Sequence, residues 1–523
     1  MKQIEFQDKN GTFMIHNPEN YTGLYLPLAG ERGLKSSITP VLGGDSKTDQ
    51  NHFLLEPVSI ENLHNNRNTR NFWCRVKGKG YWSVCGNSAE QELARFTGEQ
   101  EESTLEAGFM WQKLTRISNK YGLKAQTTSF VTVDGSMEVM LVELTNIVAE
   151  ELELTPIAAI PVYGRSADNI RDHRHVTSLL HRIQTTEYGV EVKPVLSFDE
   201  RGHQKNETTY FVYGSEEDGQ RPEAFYPTVP QFIGEGGSFL IPEAVRTEKA
   251  GILAGQLIQG KEAVGAIRYH NVTLMPGDTK RYIVLAGMAE QEEQADRIAA
   301  SYRTFEQVKQ ALSKVKKHWT EKVNVDFETG DMEVDNYLKW ICFQPVLRRI
   351  YGCSFLPYHD YGKGGRGWRD LWQDCLALLI MEQMLRSLVK SRGNSLQTVI
   401  ILQEYGWITH SGRLLQQSFI STRPEIWRYC LKKSHILKIF SHAAELHMTS
   451  CGTADMDKNS VRNREKFISE ACWSTFFYRI SVLFMMWESI TKCVFMEQTG
   501  MTHWIWHGKK EKVWHSPVPM QVI

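Results

Sequence analysis

Long apolar runs and blocks of like charge are both missing from this sequence. No stretch approaches the roughly 18 consecutive apolar residues of a membrane-spanning helix. The 523 residues include 60 basic and 61 acidic side chains, and the net charge is −1. Nucleic-acid and polybasic membrane binders need a strongly positive surface, so we expect neither nucleic acid nor membrane as a partner. A neutral, sugar-like ligand is compatible with this near-zero net charge.

Targeting and metal-binding patterns are missing as well. The opening residues, MKQIEFQDKNGTF, carry charges where a signal peptide needs an apolar run, so we expect a cytoplasmic protein. The nine cysteines are scattered singly with no CxxC pair, which favours buried small residues over a zinc site or disulfides. Only His173 and His175 approach ligand spacing, and we interpret them as a coincidence within a loop. No metal or cofactor is predicted.

The pattern up to Met288 is that of β-strands. Apolar and β-branched runs at residues 130–133 and 137–144 flank Asp134 and Gly135. This dipeptide supplies the positive φ angles of a tight hairpin, so the local sequence predicts two antiparallel strands.

Similar strand units follow at residues 208–213 and 267–285, the second with a turn at Pro276-Gly277-Asp278. Strands this numerous without intervening helices predict stacked antiparallel sheets, that is, a large β-sandwich. At least one more domain is expected, because single hydrophobic cores stop growing at about 250–300 residues.

Beyond Glu290 the apolar spacing changes to three and four residues. In a polar background up to Val323, one helical face carries Ile298, Tyr302, Phe305, Val308, Leu312 and Val315. This spacing predicts a helical linker that packs on a neighbouring element. A second helix is predicted after Gly330, with an apolar side formed by Val334, Tyr337, Leu338, Ile341, Val346 and Leu347.

Glycines and sugar-binding residue types are concentrated in YHDYGKGGRGWRDLWQDCLAL at residues 358–378. The four glycines let the backbone approach a ligand closely. Indole faces stack on sugar rings, while Arg, Asp and Gln offer donors and acceptors to hydroxyl groups. The candidate sugar contacts are Arg369, Asp374, Asp370, Gln373, Trp368 and Trp372. The residue types alone equally allow a glycine-rich loop before an ordinary amphipathic helix, with Asp370 or Asp374 in surface ion pairs.

The run GRGWRDLWQD within that segment resembles the part of glycoside hydrolase family 94 phosphorylases that grips the glucosyl unit before the scissile bond. The resemblance implies that Arg369 and Asp374 bind this unit, with Asp370 and Gln373 next. It also implies an N-terminal β-supersandwich, a helical linker and an (α/α)6 barrel. The opening stretch 25–76, with SSITPVLGGD and RNFWCRV, is closer to 1,2-β-oligoglucan phosphorylases than to cellobiose phosphorylases.

The reaction implied by the resemblance is inverting phosphorolysis of β-linked gluco-oligosaccharides. Inorganic phosphate, the co-substrate, attacks the anomeric carbon while a carboxylic acid protonates the departing oxygen, and α-glucose 1-phosphate is released. The chain is thus expected to be a glycosyltransferase of the glycoside phosphorylase type. A homodimer is also expected, because members of the family are often dimers.

The predicted fold class is a multidomain α+β chain whose last part is not native. Its predicted divisions are 1–288 (β-supersandwich), 289–330 (helical linker), 331–383 (first helices of the barrel) and 384–523 (tail). The tail does not resemble such an enzyme, because it holds seven of the fourteen tryptophans but only two aspartates, Asp455 and Asp457. Neither lies in a context suited to the general acid of the reaction.

A shift of reading frame accounts for the tail. When the codons for residues 495–515 are read from their third bases, they permit YGADWNDALDMAWEKGESVA, which resembles the catalytic segment of the family. Met501 and Thr502 force the codon GAC at the second aspartate of this word. The general acid would then be encoded by the gene but absent from this polypeptide.

Two further segments support the same frame and follow the family order. Residues 395–409 permit ADRNN and PRVWMDH, and residues 417–427 permit KLYIDQTGDM. We infer a slip between about Met381 and Ser395, and we expect the sequence after it to form no consistent core. The alternatives are a divergent helical domain, a non-catalytic carbohydrate-binding protein with a Trp- and Tyr-rich β-domain, and a fragment of a cyclic β-glucan synthase-like enzyme.

We predict that the offset frame is open across the tail and encodes the catalytic word. DNA sequencing from codon 376 to codon 523 measures this directly. A stop codon in the offset frame before codon 515, or other residues in place of the word, would contradict the slip.

Overall fold

The computed structural model describes residues 4–59, 62–199, 202–290 and 292–351, together with Leu378 and Met381. The strands are β1 (Glu5–Phe6), β2 (Phe13–His16), β3 (Leu26–Ala29), β4 (Lys35–Ile38), β5 (Ser46–Lys47), β6 (Phe53–Leu55), β7 (Asn71–Val76), β8 (Gly80–Ser83), β9 (Glu102–Gly108), β10 (Trp111–Ser118), β11 (Leu123–Val131), β12 (Met137–Asn146), β13 (Leu152–Val162), β14 (His181–Thr185), β15 (Gly189–Pro194), β16 (Leu196–Asp199), β17 (Gly202–Lys205), β18 (Thr209–Glu216), β19 (Ala224–Thr228), β20 (Leu257–Gln259), β21 (Ala263–Arg268), β22 (Val272–Leu274) and β23 (Thr279–Ala289).

Helices are short within the β-region, which we define as residues 5–289, and longer after it. They are α1 (Ala89–Ala94), α2 (Arg174–Ser178), α3 (Val229–Ile233), α4 (Glu243–Arg246), α5 (Glu292–Ala299), α6 (Phe305–Lys322) and α7 (Met332–Tyr351), with 3-10 turns at Pro18–Asn20, Asn66–Asn68, Ala167–Arg171 and Ala300–Tyr302. In the described ranges, none of them has the length and apolar character needed to cross a membrane. The N-terminal part is β-rich with few helices, as predicted.

The main sheet is antiparallel and has eleven strands in the order β1-β2-β9-β10-β11-β12-β23-β18-β15-β14-β20. Its centre contains the predicted hairpin, because β11 pairs with β12 from Leu123 opposite Asn146 to Val131 opposite Glu138. Gly135 in the connecting turn has a φ of +72°. A side chain there would lie 1.5 Å from the backbone oxygen of Arg32, so glycine is required by both the turn and its neighbour.

A second sheet faces the first and has the order β19-β21-β13-β7-β8, with β22 also paired to β13. The strand predicted at residues 208–213 is confirmed as β18, which begins one residue later, at Thr209. The unit at 267–285 is not a hairpin. β22 pairs with β13 of the second sheet, and β23 pairs with β12 and β18 of the main sheet. The turn around Gly277, whose φ is +83°, therefore carries the chain from one sheet to the other.

Both faces of the main sheet are buried. Along β12, Met140, Val142 and Leu144 join the core between the two sheets. The alternate residues Val139 and Leu141 join a second core under helices α5 to α7. Because successive strand residues point to opposite faces, a strand buried on both sides is apolar throughout.

The helical linker packs as predicted on the outer face of the main sheet. α6 begins at a capping box, in which the Gln307 backbone N–H donates to Thr304 Oγ1 (3.4 Å) and the Gln307 side chain accepts from the Thr304 backbone N–H (3.1 Å). Val308 and Val315 are fully buried in the second core. Trp319, which we did not single out from the sequence, is fully buried there too.

The predicted apolar side of α7 is wrong over its first half. Val334, Tyr337 and Ile341 are 43%, 62% and 46% exposed. The side that packs carries Asn336 and Trp340, which bind main-chain atoms of the N-terminal loop: Asn336 Oδ1 accepts from Gly11 N (2.8 Å), and Trp340 Nε1 donates to Gly11 O (2.8 Å). Directional bonds to the backbone thus orient the helix in place of its apolar stripe. Val346 and Leu347 are buried as predicted.

One carboxylate joins the β-region to both long helices. Glu31 accepts from Lys322 of α6 (2.7 Å) and from Arg349 of α7 (2.8 Å), and it lies 2.7 Å from His318 Nε2. Burial alone would raise the pKa of Glu31, but these three partners outweigh burial and hold the pKa well below its ordinary value. The backbone N–H of Glu31 donates to Val133 O (2.8 Å), so the hairpin turn positions this carboxylate.

We predict that Glu31→Gln lowers the free energy of unfolding by about 1–3 kcal/mol, because charge-assisted hydrogen bonds to both helices are weakened. The stabilisation by a carboxylate with a lowered pKa is complete above its unfolded pKa of about 4.3, and it is lost as the pH falls through the folded value. The difference between wild type and variant should therefore shrink below about pH 4. Denaturant unfolding across this range measures it, with Glu321→Gln as a matched control at an exposed ion pair on α6. Equal effects of the two changes would contradict the prediction.

Candidate functional site

All six predicted sugar contacts lie outside the described residues: Arg369, Asp374, Asp370, Gln373, Trp368 and Trp372. The predicted barrel helices beyond Tyr351 and the tail also lie outside them, except for Leu378 and Met381. These two residues are buried in the core under the helices, and Asn324 Nδ2 donates to Met381 O (3.0 Å). The described residues therefore show the part of the chain that immediately precedes the predicted segment.

The C-terminal end of helix α7 is anchored on a small four-stranded sheet, β3-β4-β5-β6. The hydroxyl of Tyr351 lies 2.6 Å from Ser36 O and 2.9 Å from Leu28 O, and burial raises its pKa. Lys35 Nζ donates to Ile350 O (3.0 Å). Burial first, and then the charge of a neighbouring lysine, lower the pKa of Lys35 to about 8. The end of α7 is thus held to β3 and β4 by hydrogen bonds from the side chains of Tyr351 and Lys35 to main-chain oxygens.

Beneath this sheet lies a buried ion pair between Arg70 and Glu138, with side chains 1% and 4% exposed. The pair is bidentate, and its second contact joins Nη2 to Oε2 at 2.9 Å. Arg70 also donates to Gly44 O (3.1 Å) and Asp45 O (3.0 Å), and Ser36 Oγ donates to Glu138 Oε2 (2.6 Å). Every part of both ions is engaged, as a buried pair requires.

The glycines of SSITPVLGGD form the tight turn whose main-chain oxygens accept hydrogen bonds from Arg70. Gly44 has a φ of +114°, and a side chain there would lie 2.0 Å from Ser37 O. Asp45, which is fully buried, accepts from Ser37 Oγ (2.6 Å) and pairs with Lys47 Nζ (3.1 Å). The tight turn therefore presents main-chain oxygens to the guanidinium while holding a second ion pair beside it.

A second charged cluster joins three connecting segments, which lie between β6 and β7, between β13 and β14, and between β20 and β21. Arg174 contacts both Glu56 and Glu262, the latter at 3.3 Å, and Arg67 Nη1 lies 2.9 Å from Glu262 Oε1. His175 belongs to the same short helix as Arg174. Within the described ranges, no group of three or more His, Cys, Asp or Glu residues could hold a metal ion.

These two clusters are suited to holding loops rather than to proton transfer. Their carboxylates face arginine, lysine and hydroxyl donors, and such paired groups lack a free oxygen directed at a reacting atom. We did not identify Arg70, Glu138 or Asp45 from the sequence. A signal was present, because Glu138 is a charged residue within the otherwise apolar run MEVML, and such a charge must find a partner when the strand is buried.

The family described as "Glycosyl hydrolase 94, supersandwich domain" matches residues 43–305. This range is slightly more than half of the 523 residues. It contains the second sheet and every strand of the main sheet except β1 and β2. The chain belongs to glycosyl hydrolase family 94. Family 94 proteins process glycosides. The buried Arg70–Glu138 pair and the part-exposed Arg174 cluster both lie within the matched range.

The solved structures that match this chain are distant in sequence and have low TM-scores. A bacterial glucoamylase complexed with acarbose is 6% identical, with a TM-score of 0.36, and the match covers 61% of this chain and 40% of that one. A protein provisionally named kojibiose phosphorylase, from the human microbiome, is 10% identical, with a TM-score of 0.28 and coverage of 66% and 39%. A family GH92 α-mannosidase from Bacteroides thetaiotaomicron is 10% identical, with a TM-score of 0.31 and coverage of 61% and 38%.

The family 94 chain thus spans about two fifths of the length of these proteins. A comparison with curated protein sequences finds no match. Membership of family 94 therefore rests on the supersandwich match.

We predict that Arg70→Met destabilises the protein by about 3–5 kcal/mol, because it leaves Glu138 as an unpaired buried charge. The double change Arg70→Met with Glu138→Met should recover much of this loss, since no charge then remains. Arg75→Met removes an exposed pair with Glu248 from the adjoining strand and should cost less than about 1 kcal/mol. Thermal and denaturant unfolding measure all three. A double variant less stable than Arg70→Met would show that the pair is not the source of the effect.

Proposed function

We propose that this chain derives from an inverting β-glucoside phosphorylase and that, as written, it lacks the catalytic acid. The observation that carries the proposal is the occurrence of two features in one chain. The family 94 supersandwich match covers residues 43–305, and the run GRGWRDLWQD follows at residues 365–374. The substrates proposed are a β-linked gluco-oligosaccharide, of 1,2-linked type in the first instance, and inorganic phosphate.

The proposed roles divide between holding the sugar and breaking its bond. Arg369 and Asp374 hold the glucosyl unit through paired hydrogen bonds to hydroxyl groups, with Asp370 and Gln373 beside them and Trp368 and Trp372 supplying aromatic faces. Phosphate attacks the anomeric carbon from the side opposite the glycosidic oxygen. A carboxylic acid must protonate that oxygen as it departs, and the configuration inverts.

The loss of the acid is the consequence proposed for the frame slip. The codon GAC forced by Met501 and Thr502 in the offset frame supports an aspartate at the family's catalytic word. In the frame of this polypeptide the same bases encode no carboxylate. A sugar can then be held, but its leaving oxygen would depart as an unprotonated alkoxide. The proposal also includes a cytoplasmic location and a homodimeric state.

We predict no phosphorolysis by the 523-residue chain and measurable phosphorolysis after the offset frame is restored. The reason is that loss of a general acid typically costs about 10²–10⁴-fold, and loss of the segments that follow removes the positioning of phosphate as well. The measurement is the release of glucose 1-phosphate from sophoro-oligosaccharides and cellobiose with inorganic phosphate. In the restored protein, replacing the aspartate of the GAC codon by asparagine is the matched control and should abolish the gain.

Robust turnover by the 523-residue chain would contradict the frame slip. Sugar binding without turnover in both versions would instead favour a non-catalytic carbohydrate-binding protein. Arg369→Ala and Asp374→Ala should weaken that binding if these residues hold the sugar.

A further inference from the structure

A cavity of about 170 Å³ lies where the N-terminal loop, the turn between β9 and β10, and helix α6 meet. Among its walls are Asp8 and Asn10 of the loop, Glu106 and Trp111 of the strands, and Lys316 and Thr320 of the helix. About 10–15 Å³ suffices for one water molecule, and pockets for drug-sized ligands begin at about 300 Å³. This cavity is therefore of the size that takes a single small ring.

The aromatic wall is held in place by the turn between β9 and β10. Met110 in this turn adopts a φ of +64°. Gly108 lies beside the indole of Trp111, and a side chain there would lie 2.5 Å from Trp111 Nε1. Only glycine therefore fits beside the Nε1 edge of this largely buried ring. Indole N–H groups are strong donors at the boundary between apolar and wet surroundings.

A lysine lies over this indole, and it feels the charges of Glu106 and Asp8 without forming a direct ion pair with either. Lys316 Nζ lies 3.3 Å from the centroid of the Trp111 ring. Of the ion pairs formed in the described ranges, none includes Lys316, whereas Glu106 is paired with Lys113. Burial lowers the pKa of Lys316. An ammonium group so placed retains donors for an oxygen of a ligand.

Asp8 completes the set of hydrogen-bonding groups. Its Oδ1 accepts from the backbone N–H groups of Asn10 (2.7 Å) and Thr12 (3.1 Å), so the loop fixes the direction of the carboxylate. The α7 side chain Asn336 holds the same loop through Asp8 O (2.8 Å). The acceptor is therefore presented by a braced loop rather than by a free one.

The mixture of groups selects the class of ligand. An anion would meet Asp8 and Glu106, while a cation would meet Lys316. An apolar ring would leave donors and acceptors of the cavity unpaired, at a cost for each group. A neutral polyhydroxylated ring can accept from Lys316 and donate to Asp8 without introducing charge.

We propose that this cavity is a second carbohydrate site, which takes one pyranose unit and is distinct from the predicted contacts at residues 368–374. It lies between the β-region and α6, so an occupant contacts both. The site does not depend on the proposed phosphorolysis, and it can be tested in the chain as written.

The test is ¹⁹F NMR of the full chain labelled with 5-fluorotryptophan, with the Trp111 resonance assigned by Trp111→Phe. Methyl β-D-glucopyranoside and cellobiose are the probes. We expect a saturable shift of the Trp111 resonance with both sugars. Lys316→Met, which keeps the aliphatic contact with the indole, and Asp8→Asn, which keeps the acceptor of the loop, should each weaken binding at least tenfold.

Lys317→Met is the matched control, because Lys317 is exposed on the same helix and outside the cavity; it should leave binding unchanged. Arg369→Ala should also leave the Trp111 shift unchanged, which separates this site from the proposed glucosyl contacts. The proposal is overturned if neither sugar shifts the Trp111 resonance, if Lys316→Met and Asp8→Asn both bind as the wild type does, or if inorganic phosphate alone produces the same shift.

Discussion

Burial of the main sheet on both faces is the constraint on which the rest of the described structure depends. Its central strands β12, β18 and β23 contribute alternate residues to the core between the sheets and to the core under the helices. Neither face can be left in water, because each presents large apolar side chains. The second sheet and helices α5 to α7 are therefore integral layers of one packed unit rather than appendages of a sandwich.

The need to join these layers explains where the charges are placed. A polar group in such an interior must be paired, and the chain provides pairs at the edges of its layers. Glu31 binds α6 and α7 from a turn that the Gly135 hairpin supports. Arg70 and Glu138 join the small sheet to the main one. Both networks lead to the end of α7, where the chain continues towards the predicted sugar-binding segment.

The sequence predicted elements where one local rule sufficed. The hairpin at Asp134-Gly135 and the buried face of α6 follow from turn chemistry and from helical spacing, and both are present. The face of α7 was predicted wrongly because the same rule assumes that apolar residues orient a helix. Hydrogen bonds from Asn336 and Trp340 to the loop at Gly11 oriented it instead, and their partner lies more than 300 residues away in the sequence.

By itself, the sequence determined the β-rich class of the first part, the change to helices near Glu290, and the family to which the chain belongs. These depend on periodicity and on short motifs, which are properties of neighbouring residues. Only the tertiary structure decided which charged residues pair, which side of α7 is buried, and that the turn at Gly277 joins two sheets. Each of these depends on contacts between distant parts of the chain, and their energies depend on burial that no local pattern specifies.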